Sequence, residues 1–572
     1  MRLRHRLLLS IVTLVALPAG TAAAAGDPIM PLSQVHGGMN CTGESVVQGT
    51  TISSFNVYVM DIVQDPQQGP RILVRVSGPA VDLTGVAQGF SGSPVLCDDG
   101  TGTMRNIGAI SAGIGEYGNR VALVTPIEQM LGEPVSPPSS APRLHLVGTP
   151  LQGPLTVGGL SPSLFSLFQE AARRAGRTVI ADPSGPSVSF PVQPLVPGAS
   201  VGAAYSSGAV PIGAIGTVSY RDGDHVYAFG HPLDGAGRRS LILQDAYVYY
   251  VVPNPGVDLS TSYKLAAFGH TVGTLTSDTP NAVIGAVGAP PPTIPLDVSA
   301  RDGDTGARLT QQTQVADESG IGFPVGGSLV GMVGPLAIAQ AATQIYNGAP
   351  ANESGHMCLS ITIRESRAPL AFCNRYVSTG VPGGSGLLPP ALALSAAGDA
   401  SQAFSIIDSV QFATIHVTHI AAALDAERGL REASIVSARA PARVKAGQRV
   451  SVHLLVRVIR GSLRRVSFKV RIPRGLHGAV SAKLGGAVAG GGMAGAQALE
   501  SALGAALGGA SVTFGPAPPP PGSVRSLRRA VAAIAPYDGL LVRFGHRAPA
   551  RIYRDPSLLI TGQAKVVFRV KR

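Results

Sequence analysis

The chain has no tryptophan, four cysteines, and six lysines among its 45 cationic side chains. Four cysteines in 572 residues exclude a disulfide-dense mini-domain. The absence of any Cys-x-x-Cys pair argues against a four-thiolate zinc site. Charged residues are 14% of the chain and long charged helical runs are missing, which disfavours a helical bundle. No later run makes a membrane span. Residues 485–510 are apolar on paper, but they are mostly Gly and Ala and contain Glu500. They read as a flexible insertion or a weak helix beside the stiff Pro518–Pro521 run.

Apolar residues are 45% of the chain, enough for packed cores, and 72 glycines with 46 prolines point to many short strands and turns. The length predicts three or four domains. The net charge of +12 is unevenly placed: residues 431–572 hold 24 Lys/Arg against 4 Asp/Glu, whereas residues 1–430 are net acidic. Different partners for the two parts are the natural expectation.

Arg2, Arg4 and Arg6 precede an apolar run from Leu7 to Leu17, and Ala22–Ala25 follow Pro18. This is the pattern of a secretory signal peptide, with cleavage predicted near Ala25. Export permits disulfides, and Cys358 with Cys373 is the nearer pair; Cys41 with Cys97 can form a second. Residues 50–62, 71–76, 107–114 and 121–124 read as strands bounded by turn residues, and Ile127–Leu131 as a helix behind Pro126. A Pro/Ser-rich linker at 133–145 precedes a helix over 161–176. A strand-rich block follows from 201 to 298, and residues 299–375 add strands and a helix over 334–346. Residues 376–403 read as a Gly/Pro/Ala-rich connector. Residues 404–475 alternate like an immunoglobulin-like sandwich, whose last strand lies near 564–570.

The segment Gln88-Gly89-Phe90-Ser91-Gly92-Ser93-Pro94 is the most informative. A serine in a glycine-rich turn presents a hydroxyl, and the glycines let backbone N–H groups face a developing oxyanion. Gly89 and Ser91 are the candidate donors. Ser91 needs a base. His231, between Gly230 and Pro232 at a strand end, fits that position; His36 and His270 are rivals. Asp222-Gly223-Asp224 reads as a hairpin turn rather than a calcium loop. His416 and His419 lack a third ligand and read as strand decoration. The cluster Arg457, Arg460, Arg464, Arg465, Lys469, Arg471 and Arg474 has only Phe468 for stacking, which disfavours single-stranded nucleic acid.

Two blocks resemble the SpoIVB-type peptidases, serine endopeptidase family S55. Residues 84–94 are similar to that family's TGG-(I/V)-x-QGMSGSP nucleophile motif, with Phe90 in place of Met and one Gly missing. Ile107–Ser111 and Thr125–Glu128 resemble the following strand and closing helix. Ile215-Gly216-Thr217-Val218 leading to Tyr227–His231 resembles its GTLT…GALGH segment with the catalytic His, which favours His231 over His270. The resemblance covers roughly 29–132 and 200–300. In the sporulation protein the His block comes first; here Ser91 precedes His231.

The resemblance implies a mainly β protein with two chymotrypsin-like β-barrel halves in permuted order, and the alternation over 404–475 adds an immunoglobulin-like C-terminal sandwich. The expected boundaries are a signal peptide at 1–25, a nucleophile half-barrel at 26–132, a linker with a short helix at 133–199 and a histidine half-barrel with extension at 200–375. The connector at 376–403 and the basic sandwich at 404–572 complete the chain. The implied activity is that of a secreted serine endopeptidase with Ser91 as nucleophile and His231 as base, needing no cofactor or metal. The family's acid lines up near Ser77; Asp82 is the nearest carboxylate and the candidate acid, Asp234 is another candidate, and a Ser–His dyad is the third option. Protein or peptide is the expected substrate, and the chain itself is a further candidate. An anionic cell-envelope polymer suits the basic domain, and nucleic acid is not expected. The alternative is a catalytically weak or inactive relative that binds at the cell surface.

Overall fold

The computed structural model describes residues 26–571, apart from 67, 115–119, 138–153, 183–188, 254–261, 322–327, 349, 380–387, 487–498, 502, 505–506, 508–518, 535–539, 546–549 and 554–556. The predicted signal peptide lies outside the described residues. The chain is mainly β, 51% strand and 16% helix. The first sheet is a closed barrel of six strands: β1 (Asn40–Gln48), β2 (Thr51–Asp65), β3 (Gly69–Ser77), β4 (Pro94–Asp98), β5 (Met104–Ile114) and β6 (Val121–Pro126). In β2, Phe55, Val57 and Val59 are buried and the residues between them face outward; in β3, Ile72, Val74 and Val76 are buried. Period-two alternation puts one face of each strand into the core. Each such side chain contributes roughly 1.5–3 kcal/mol on burial. Helix α1 (Ile127–Leu131) follows Pro126 and buries Ile127 and Met130.

The second sheet has 13 strands. It begins with β7 (Leu155–Val157) and β8 (Val179–Ala181), which flank helix α2 (Pro162–Arg174). Next come β9 (Ser200–Gly208), β10 (Ile212–Asp222), β11 (His225–Ala228), β12 (Gly237–Val252), β13 (Tyr263–Asp278) and β14 (Val283–Val287). The pairings of β9 with β12, β12 with β13, β13 with β14, β14 with β11, β11 with β10 and β10 with β9 return to their starting strand. Six strands thus form a hydrogen-bonded ring. Strands β15 (Thr293–Asp302) and β16 (Arg308–Ala316) attach to it through β16 and β9. Beyond them lie helix α3 (Leu329–Tyr346), β17 (Asn352–Ile363), β18 (Leu370–Thr379), helix α4 (Ala391–Asp408) and β19 (Val417–Arg428).

Three parts of the expected organisation change. The linker at 133–199 contributes two strands to the large sheet, because β7 pairs with β10. The connector contains α4, whose Leu392, Ala393, Ala396, Ala397, Ala400 and Phe404 are buried. The C-terminal unit starts near residue 432 rather than 404, because β19 runs parallel to β15 and antiparallel to β17 inside the large sheet.

The C-terminal unit has a four-stranded sheet of β20 (Glu432–Arg439), β22 (Arg449–Val458), β23 (Leu463–Arg471) and β27 (Leu559–Thr561). A five-stranded sheet comprises β21 (Arg443–Lys445), β24 (Gly478–Gly485), β25 (Leu540–Phe544), β26 (Ala550–Tyr553) and β28 (Gln563–Lys571). Val452, Leu454, Phe468, Leu484, Val542 and Phe568 from both sheets share one core. Helix α5 (Val524–Ala533) buries Leu527 and Val531 in the main core instead, as do Leu499, Leu503 and Leu507. Glu500 pairs with Arg174 at 2.6 Å. Much of 485–510 lies outside the described residues. Disulfides join Cys41 to Cys97 across β1 and β4, and Cys358 to Cys373 across β17 and β18.

Candidate active site

The Ser91 turn and the His231 loop meet where the first barrel touches the second ring. The Thr217 N–H donates to the Ser91 carbonyl at 2.8 Å, and the Phe229 N–H donates to the Thr217 carbonyl at 3.3 Å. Thr125 Oγ1 donates to the Gly230 carbonyl at 2.7 Å, so β6 also holds the His loop. Asn106 Nδ2 reaches the Ser219 carbonyl at 2.9 Å, and Ser262 Oγ reaches the Thr84 carbonyl at 2.8 Å.

Within the turn nearly every backbone group has a partner. The Gln88 N–H donates to Ser262 and the Lys264 N–H donates to the Gln88 carbonyl. Thr217 Oγ1 donates to the Gly89 carbonyl at 3.0 Å. The Phe90 N–H is taken by Ala87, the Phe90 carbonyl by the Ser93 N–H, and the Gly92 N–H by Ile110. The Gly89 and Ser91 N–H groups have no acceptor among the described residues. A planar trans peptide points its C=O and N–H in opposite directions. With the Gln88 carbonyl turned to β13, the Gly89 N–H points away from it. Ser91 is half-buried and its hydroxyl makes no hydrogen bond among the described residues. Gly89 and Gly92 have φ of 94° and 95°, a region that favours glycine.

His231 follows Phe229 and Gly230, both at φ 68°. A buried phenylalanine in the left-handed region stores on the order of 1–3 kcal/mol of strain. The loop tolerates it because three amides anchor it: Leu233 and Asp234 donate to the Asp278 carboxylate at 2.7 and 2.8 Å, and Ala236 at 3.3 Å. His231 Nδ1 lies 2.8 Å from the Pro232 carbonyl. A carbonyl only accepts, so Nδ1 carries the proton and Nε2 keeps its lone pair. Burial pulls the imidazole below its ordinary pKa, and the Pro232 bond offsets this only in part. His231 is therefore neutral near pH 7. No hydrogen bond joins it to Ser91 Oγ among the described residues.

The structure does not bring the candidate acids to His231. Asp82 is exposed; its carboxylate accepts the Gly78 N–H at 3.0 Å and its carbonyl accepts Arg120 Nη2 at 2.6 Å. It closes its own turn. Asp234 is bound by Arg177 at 2.6 Å, Arg239 at 2.8 Å and Tyr205 at 2.5 Å. Burial would raise its carboxyl, but the two guanidinium groups overcome this and hold it far below the usual range. The Pro232 carbonyl occupies the Nδ1 side of the ring where a triad has a carboxylate.

The rival histidines lie elsewhere. His36 is exposed, with Nδ1 3.0 Å from the Gly37 carbonyl. His270 Nδ1 is 3.0 Å from Asp245 Oδ2, with the Phe190 ring edge-on to it. His416 and His419 bind separate carboxylates, Glu365 at 2.7 Å and Asp297 at 2.8 Å. Asp222–Asp224 form the turn between β10 and β11. Sequence reading missed three residues beneath the Ser91 turn: Ser45, Lys264 and the side chain of Thr217. Thr217 stands inside the Gly-Thr block already singled out. Lys264 is the only lysine ahead of residue 445. No family model, no curated protein and no solved structure matches the chain.

Proposed function

We propose that this chain is an exported serine endopeptidase that acts through Ser91, with His231 as its base. The observation that carries the reading is the turn at 88–93, whose only unpartnered backbone donors among the described residues are those of Gly89 and of the serine itself. The neutral His231 loop rests on the same seam. In this reading the closed barrel and the six-strand ring are two chymotrypsin-like halves in permuted order. The C-terminal sheets are an immunoglobulin-like sandwich.

Ser91 Oγ attacks the peptide carbonyl carbon while His231 Nε2 takes its proton. The Gly89 and Ser91 amides receive the oxyanion. Collapse expels the amine, which takes the proton from His231, and water then cleaves the acyl-enzyme by the same steps. With a carbonyl in place of a carboxylate, the imidazolium is less stabilised and turnover is slower than in a full triad. A fluorophosphonate should label Ser91 in folded protein. Ser91→Ala should remove all labelling, and His231→Ala should slow it at least ~100-fold. Folded wild-type protein that takes no label overturns the reading. Fragments that appear in wild type but not in Ser91→Ala would identify the chain as its own substrate.

A second activity is carried by the outer face of the five-stranded sheet. Arg543, Lys483 and Lys565 stand directly opposite one another on three adjacent strands. Arg443 faces Arg569 and Lys445 faces Lys571. Like charges in register are destabilising, and among the described residues none of these seven has a carboxylate partner. Ser481, Lys483, Arg543, Gln563 and Lys565 line a concavity of about 610 Å³. Such a row fits a linear polymer bearing phosphate or carboxylate groups, as expected of a cell envelope. Polyphosphate should bind with strong salt dependence. The triple variant Arg543→Glu, Lys483→Glu, Lys565→Glu should weaken binding at least ~10-fold. Equal retention by wild type and variant excludes this face.

A further inference from the structure

Lys264 lies on β13 under the Ser91 turn, 3% exposed. Its ammonium donates to Ser45 Oγ at 2.9 Å and to Thr217 Oγ1 at 3.2 Å. It stands 4.8 Å from the centre of the Phe90 ring. Its aliphatic stem packs on Gly89, where a Cβ would come within 3.0 Å of Lys264 Cδ. A buried cation ordinarily has a carboxylate partner. Among the described residues the packed elements supply none: β1 offers Ser45, β10 offers Thr217, β12 sets Val251 opposite, and the turn offers Phe90. Glu44, beside Ser45, turns against Gly198 instead. His231 has its ring against Phe229 and its Nδ1 on Pro232.

The direction of the hydrogen bonds gives the cation a task. An ammonium has no lone pair, so it can only donate to Thr217 Oγ1. Thr217 must then donate onward, and its acceptor is the Gly89 carbonyl at 3.0 Å. A neutral amine can accept from Thr217, which releases the Gly89 carbonyl. We propose that Lys264 is a positioning residue for the oxyanion donors: its ammonium, through Thr217, fixes the Gly89–Phe90 peptide, which joins the two peptide planes that carry the Gly89 and Ser91 amides, and so holds both amides toward substrate. The proposal rests on the peptidase reading of the same turn. Burial lowers the Lys264 pKa to about 7, so the relay is lost just above neutral pH.

Two measurements test it. The first is the rate of fluorophosphonate labelling against pH. Wild type should give a bell, rising as His231 loses its proton and falling as Lys264 does. Lys264→Met and Thr217→Val should label about 10- to 100-fold more slowly, and Lys264→Met should lose the falling limb. Thr217→Ser, which keeps the hydroxyl, should retain both rate and limb. Wild-type rate and profile in folded Lys264→Met overturn the proposal and leave the peptidase reading standing.

The second measurement does not depend on activity. Carbonyl-labelled glutamine with nitrogen-labelled glycine restricts the amide spectrum to the four Gln-Gly pairs, Gln88-Gly89 among them. The Gly89 amide should titrate near neutral pH in wild type and not in Lys264→Met. If wild type takes no fluorophosphonate, the peptidase reading fails and this titration still decides the relay. A Gly89 signal that is static, or that moves equally in both proteins, overturns the proposal.

Discussion

Gly92→Ala is expected to abolish fluorophosphonate labelling and to destabilise the chain by about 3 kcal/mol or more, because it strikes the seam between the two motifs. Gly92 has φ 95°. A Cβ there would lie 1.9 Å from the Thr217 carbonyl oxygen and 2.5 Å from the Phe229 nitrogen. Both are backbone atoms, so neither can rotate aside. Relief requires parting the Ser91 turn from the His231 loop, which breaks the bond between the Thr217 N–H and the Ser91 carbonyl. Gly100→Ala is the control. Gly100 has φ 86°, but a Cβ added there would meet no atom within 4 Å, so the variant carries backbone strain without the collision. That variant should lose only about 1–2 kcal/mol and keep its labelling. Thermal melts and labelling of both variants check this. Similar melts and retained labelling would mean that the seam does not hold the site.

The seam also explains what could be read from the sequence. Strand β2 and strand β3 were legible because one face of each is buried and the other wet, which leaves a period of two. The two motifs were legible because glycines at Gly89, Gly92 and Gly230 mark positive φ and close approach. Helix α4 was hidden because its polar face (Asp399, Gln402, Ser405) contrasts only weakly with an Ala-rich buried face, so its period is faint and the run resembles a linker. Strand β19 was assigned to the wrong unit because alternation reveals a strand but not its partners, and here the partners are β15 and β17. The acid was unreadable for a different reason. Asp82 and Asp234 are both near the motifs in sequence, yet one closes a local turn and the other neutralises two buried arginines. Only the fold shows that a main-chain carbonyl orients His231.

Lys264→Met should make the protein more stable at neutral pH while it slows labelling, a combination that separates a functional cation from a structural one. In the unfolded chain the ammonium titrates near its ordinary 10.5, and in the folded chain at about 7. Between those values the unfolded state holds more protons, so stability from this group rises with pH. Below about pH 7 the penalty of burying the charge is fully present. A difference of this size is worth at most about 5 kcal/mol. Methionine removes it and keeps the contact with Gly89 and Phe90. Ser45 and Thr217 lose a donor but stand 3.2 Å apart and can bond to each other. A net gain of about 2 kcal/mol remains. Denaturant titrations near pH 7 and near pH 10 should show wild type gaining stability across the interval and Lys264→Met gaining less. The alkaline loss of labelling in wild type would then coincide with a more stable fold, so unfolding cannot be its cause. A variant that is less stable than wild type at pH 7, with the same slope above it, would make Lys264 a structural residue. A buried charge that weakens the fold and is still present calls for a task, and the Gly89 carbonyl is the group its hydrogen bonds reach.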